Sequence, residues 1–129
     1  MALYLIAFND EWVPDLTMDQ LREAAKGGRA VIQDMTDQGV FVFSDGGLDA
    51  STVVCSVEPN GSDPVFMDGP FVETKEHLGG FAVVDVDDDD AARYWAGRIA
   101  VGVGWPQEVH RFPRRFQLTG ETADAAAAS

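Results

Sequence analysis

Apolar residues fall into short runs and periodic stripes, and the polar, Gly- and Pro-bearing segments between them divide the chain into elements. Residues 2–8 (ALYLIAF) are apolar at every position, as in a strand covered on both faces. Residues 9–15, with Pro14, read as a loop. Thr17 is a candidate N-cap for a helix over residues 18–38, on which Leu21, Ala25, Gly28, Ile32 and Met35 recur at spacings of three and four. Gly27 and Gly28 weaken that helix by about 1 kcal/mol each relative to Ala, a cost that close packing or a kink would explain. Gly39 is its natural stop. Residues 40–43 predict a second strand, ended by Ser44-Asp45-Gly46-Gly47, and residues 52–57 a third. The turn sequence Pro59-Asn60-Gly61-Ser62 joins this third strand to residues 65–67 as a β-hairpin.

Residues 68–80 are rich in Gly and polar residues and read mainly as a loop, whereas residues 81–86 (FAVVDV) carry the strongest strand pattern. The acidic run at residues 87–90 opens a second helix over residues 88–101. Its carboxylates offer N-caps and complement the helix dipole, and the ligand spacing of a calcium loop is absent. Ala92, Trp95 and Ile99 form the buried face of that helix. After Gly102, Gly104 and Pro106, residues 108–112 predict a last strand, and the Ala-rich residues 119–129 a frayed end. The order is an α+β, ferredoxin-like split βαβ arrangement with an added β-hairpin between its halves. It predicts an antiparallel sheet with two helices on one face. Residues 1–113 make one domain and residues 114–129 a tail. A chain of 129 residues buries roughly 65–70% of its unfolded surface, so it needs no disulfide or metal to hold a core.

Two helices cover only one face of such a sheet. Residues 2–8 nevertheless carry apolar side chains at both parities, Leu3/Leu5/Ala7 and Tyr4/Ile6/Phe8, and residues 81–84 do the same. The cheapest cover for the second face is the same face of another copy, which predicts a homodimer with its sheets face to face.

Charge narrows the partners. Nine Lys and Arg against 22 Asp and Glu leave a formal charge of -13. Such a surface repels phosphate backbones and anionic membranes, which argues against nucleic-acid and membrane partners. Residues at the start do not read as a signal peptide, and no apolar run approaches the ~20 residues that span a bilayer, so the expectation is a cytoplasmic protein. The single cysteine, Cys55, excludes an intrachain disulfide and a cysteine-based zinc cluster. With no G-x-G-x-x-G, P-loop or cysteine ligand set, no cofactor is expected.

The most distinctive stretch runs Asp68-Gly69-Pro70-Phe71-Val72-Glu73-Thr74-Lys75-Glu76-His77-Leu78-Gly79-Gly80-Phe81. Asp68, Gly69 and Pro70 have the chemistry of a turn that Phe71 would anchor to the core. Titratable groups crowd the next few positions, beside glycines and an apolar strand. Lys75 can hold an anionic or polar group or pair with its neighbours. Glu76 or His77 can move a proton near neutral pH. The candidate catalytic residues are Glu76, His77 and Asp85, and the candidate substrate-binding residues are Asp68, Phe71 and Lys75. Asp85 enters because a carboxylate within an apolar strand is costly unless paired or facing water. His110, flanked by Val109 and Arg111 in the last strand, reads as structural.

The stretch resembles the signature of the YCII-related, or DGPF, domain family, D-G-P-F-x-E-T-K-E-x-L-G-G-F/Y. The continuation Val84-Asp85-Val86-Asp87-Asp88 and the later Ala91, Trp95 and Glu108-Val109 are also similar. The resemblance implies a bacterial protein and a dimeric α/β-barrel, the fold of small ring-opening isomerases, monooxygenases and dehydrochlorinases. It implies no settled reaction. A cofactor-free lyase- or isomerase-like enzyme acting on a small organic molecule is one expectation. A non-catalytic binding or regulatory module, for example a partner of an extracytoplasmic-function sigma factor, is the other. Better understood relatives resemble enzymes that use a His/Asp pair with the histidine in the first half of the chain. Here the histidines are His77 and His110, so that pair does not transfer.

Overall fold

The structure, a computed structural model, describes residues 2–71 and 76–113. The proposed tail and the candidate Lys75 lie outside the described residues. Strand β1 (Ala2–Asn9) leads through a one-turn 3-10 segment, Asp10–Trp12, to helix α1 (Met18–Asp37). Thr17 caps α1 as expected: its hydroxyl accepts from the Gln20 N–H while the Gln20 side chain accepts from the Thr17 N–H. Gly39, at φ 73°, ends the connection, and β2 (Phe41–Asp45) follows. The hairpin is β3 (Cys55–Asn60) with β4 (Asp63–Asp68). Strand β3 starts later than residue 52, because Asp49 caps a 3-10 turn at Ala50–Thr52 and uses up those residues. Strand β5 (Leu78–Val86), helix α2 (Asp89–Val103) and β6 (Glu108–Arg111) complete the fold. Asp88 caps α2 by accepting from the Ala91 N–H.

The main sheet has four strands in the order β2-β5-β1-β6, all neighbours antiparallel, and the hairpin forms a separate two-stranded sheet. This is the ferredoxin-like order. Tyr4 and Ile6 of β1 and Ala82, Val84 and Val86 of β5 share one face and pack with Val31 and Met35 of α1 and Ala92, Trp95 and Ile99 of α2. Leu3, Leu5 and Ala7 stand opposite Asp85, Val83 and Phe81 on the other face, which no helix among the described residues covers.

The buried stripe of α1 differs from the expected one. Ala24, Val31 and Met35 are buried, whereas Leu21 is 43% exposed and Ala25 is exposed. The cause is the helix crossing: Gly27 meets the backbone of Gly102, and that contact sets how far α1 is turned. Arg98 then latches the two helices by donating to Asp34 at 2.5 Å, its guanidinium lying by the Tyr94 and Trp95 rings.

Candidate functional site

Because β1 and β2 run one way and β5 and β6 the other, the ends of β1 and β2 meet the starts of β5 and β6 at one end of the sheet. That end gathers the 3-10 turn after β1, the Asp49 turn after β2 and the segment leading into β5. Glu11, on the first of these, clamps His77, on the last. Its Oε1 lies 2.9 Å from His77 Nδ1 and its Oε2 accepts from the His77 backbone N–H at 3.2 Å. The Asp10 N–H donates to the His77 carbonyl at 2.8 Å, so ring and backbone are fixed together. The His77 side chain is only 18% exposed, and its Nε2 has no hydrogen-bond partner among the described residues.

Electrostatics agree with this pairing. The hydrogen bond from His77 holds the Glu11 carboxyl below its usual range, with the His77 backbone N–H adding to it. Asp49 is also held low, first by the Ser51 hydroxyl and more weakly by the charge of His77. A carboxylate at Nδ1 favours the neutral tautomer that carries its proton there, with Nε2 unprotonated.

Phe8 links this pair to the interior. Its ring stands so close to the start of β5 that a Cβ on Gly79 or Gly80 would lie 2.6 and 2.8 Å from it. The same ring meets Trp105 edge-on, with centroids 5.4 Å apart. The Gly79-Gly80 dipeptide of the motif is thus the floor on which an aromatic ring rests, two residues from His77.

The other expected residues are dispersed. Glu76 is exposed beside His77. Asp68 ends β4 exposed, and the turn after it is a built corner: Gly69 takes φ 76°, its carbonyl accepts from Ser56 Oγ at 2.7 Å, and Phe71 is half-buried. Asp85 is half-buried opposite Leu3 on the uncovered face, at the far end of β5. Eight residues of strand at ~3.3 Å each separate it from His77, so the two do not share a site. His110 sits across from Leu5, exposed, with Nε2 2.7 Å from Glu108. Glu11, Asp49 and Phe8 did not emerge from sequence reasoning. The signal available was topological: antiparallel β1 and β5 must bring the residues after Phe8 to those before Gly79.

Two other clusters are self-contained. At the opposite end, the Tyr4 hydroxyl donates to Asp89 at 2.6 Å and Arg111 donates to both Asp89 oxygens at 3.1 Å, which ties β6 to the first turn of α2. The phenol bond lowers the Asp89 carboxyl and the carboxylate raises the Tyr4 phenol. An open groove of about 460 Å³ beside Pro14, Glu23 and Trp105 brings together no histidine and no clamped carboxylate. Among the described residues no group of three His, Cys, Asp or Glu is placed to hold a metal ion, and no helix is long and apolar enough to cross a membrane.

A ferredoxin-like α+β domain with a carboxylate-held histidine at one end of its sheet is the class that fold and geometry define. The sequence matches the YCII-related domain family over residues 4–102, and the chain belongs to that family. No curated protein matches it.

Proposed function

We propose that the chain binds a small organic molecule and transforms it by cofactor-free acid/base chemistry, with His77 as the proton-transferring group and Glu11 as its positioning partner. One observation carries this reading: the Glu11 carboxylate grips both Nδ1 and the backbone of a largely buried histidine whose Nε2 meets no partner among the described residues. In the reaction that fits, Nε2 takes a proton from a carbon next to a carbonyl. The electron pair of the broken C–H bond moves onto the carbonyl oxygen as an enolate, and the imidazolium formed is offset by Glu11. Return of the proton to the same or a neighbouring carbon gives exchange or isomerisation.

Hydrogen–deuterium exchange tests this without knowing the natural substrate. A panel of small cyclic ketones and lactones in D2O, followed by proton NMR, should exchange α-protons faster with the parent protein than with His77→Ala. A positioned general base contributes about 10²–10⁴-fold. Equal exchange by parent and variant across the panel would remove the acid/base reading.

The uncovered sheet face supports the homodimer and with it a dimeric α/β-barrel. Phe43 is 53% exposed there, its ring 5.8 Å from that of Phe81. A light-scattering mass of one chain would exclude it. A second reading, a docking module for another protein, draws on the hairpin, where Phe66 is 65% and neighbouring Val54 88% exposed.

A further inference from the structure

Between the sheet and the two helices lies a cavity of about 120 Å³. Ile6 and Ala82 of the sheet, Ile32 of α1 and Ile99 of α2 are among its apolar walls, and Ser44, Asp45 and Gln107 are its polar members. Well-packed cores leave few voids larger than a water molecule. A pocket of this size with Ile and Phe in its walls is close to the roughly 150 Å³ that admits benzene. One feature is out of keeping with a dry packing defect. Gln107 Nε2 is buried and has no hydrogen-bond partner among the described residues. An unmet buried donor costs about 1–3 kcal/mol, and a side chain as flexible as Gln could otherwise turn to water.

The position of the cavity matters as much as its chemistry. Phe8, one of its walls, is the ring that rests on Gly79 and Gly80, directly after His77-Leu78. Gln107 immediately precedes β6, and β6 starts at the sheet end that holds Glu11 and His77. Void and proton-transferring pair are therefore built on the same short segments.

We infer that this cavity is the binding pocket for a small, mainly apolar cyclic ligand that carries one hydrogen-bond acceptor, a carbonyl, satisfied by Gln107 Nε2. The inference rests on the acid/base reading above for what then happens to the ligand, and on the cavity alone for its binding. Apolar walls supply affinity for a ring, and the unmet Gln107 donor selects the acceptor. A ligand of equal shape without the acceptor leaves Gln107 unpaired and binds less well.

Cyclohexanone and methylenecyclohexane differ by an oxygen for a CH2 at nearly constant shape, which makes them the probes. Each is titrated into the parent chain while the methyl signals of Ile6, Ile32 and Ile99 are followed by NMR. Expected are shifts at these three residues and an affinity for the ketone about fivefold higher, the worth of one neutral hydrogen bond. Gln107→Leu should bring the two affinities together. His77→Ala should leave ketone binding intact, so loss of α-proton exchange alone counts against the chemistry and not against the pocket. Shifts that miss the three isoleucines, or equal affinities in the parent, overturn the inference, and neither measurement depends on a variant folding.

Discussion

Gly27 and Gly102 touch backbone to backbone where α1 crosses α2: a Cβ on Gly27 would lie 1.8 Å from the Gly102 carbonyl oxygen. No rotamer change relieves such a clash, because both partners are main chain. Gly27→Ala should therefore push the helices apart and destabilise the fold by roughly 1–3 kcal/mol, the cost of overpacking. Gly97 is the internal control, since among the described residues nothing beyond its chain neighbours and its own helix backbone lies within 4 Å of a Cβ placed there. It sits in the middle of α2, so Gly97→Ala should stabilise by up to about 1 kcal/mol through helix propensity alone. Urea denaturation of both variants checks the pair. Similar effects in the two would mean that the crossing is not what fixes Gly27.

A second close approach joins the core to the site. Gly79 and Gly80 lie under the Phe8 ring, and Gly79→Ala brings its new methyl within 2.6 Å of that ring. The expected outcome is lost stability together with a changed environment at His77. In a Phe8→Leu background the same substitution should cost at least about 1 kcal/mol less, because the ring it strikes is gone. A double-mutant cycle by thermal or urea unfolding measures this coupling. Additive effects would place the need for glycine elsewhere.

Acid sensitivity has a definite sign. Glu11 is held below its ordinary 4.5, chiefly by His77, and Asp89 below its ordinary 3.8, chiefly by the Tyr4 phenol. Both carboxyls bind protons more readily in the unfolded chain. Stability from them is therefore complete above about pH 5 and falls as pH drops through their folded-state values. Melting temperature recorded from pH 6 to 3 should fall less steeply in Glu11→Gln and in Asp89→Asn than in the parent. Parallel curves for parent and variants would show that these two pairs do not contribute to acid unfolding.

Local signals carried most of the fold. Thr17, Gly39, the acidic run before α2 and the apolar run at residues 81–86 each act through neighbours a few positions away, and each stands in the structure as the sequence implies. The rotation of α1 was not legible, because Gly102 sets it from the other helix, and Leu21 and Ala25 fit an apolar stripe as well as Ala24 does. The site was half legible. His77 stood out within its motif, but Glu11, 66 residues away, looks like any loop carboxylate until β1 and β5 are paired. Nothing in the sequence marks Gln107 or Phe8 as cavity lining, since a cavity is a property of packing.

The two histidines offer the sharpest check on the site, because their carboxylate partners hold opposite ring nitrogens. His77 meets Glu11 through Nδ1, whereas His110 meets Glu108 through Nε2. Each carboxylate accepts a proton from the nitrogen it faces, so the neutral rings should be opposite tautomers, Nδ1–H at His77 and Nε2–H at His110. Long-range nitrogen–proton correlation spectra at alkaline pH distinguish the two forms directly. Glu11→Gln should disturb only His77. An amide there can donate to Nδ1 and move the ring proton to Nε2, the atom that must be free to act as a base. The variant should then lose ~10²-fold or more in α-proton exchange while remaining folded at neutral pH. If His77 already carries its proton on Nε2 in the parent, Glu11 serves only to fasten the turn after β1 to the start of β5, and the base must be sought elsewhere.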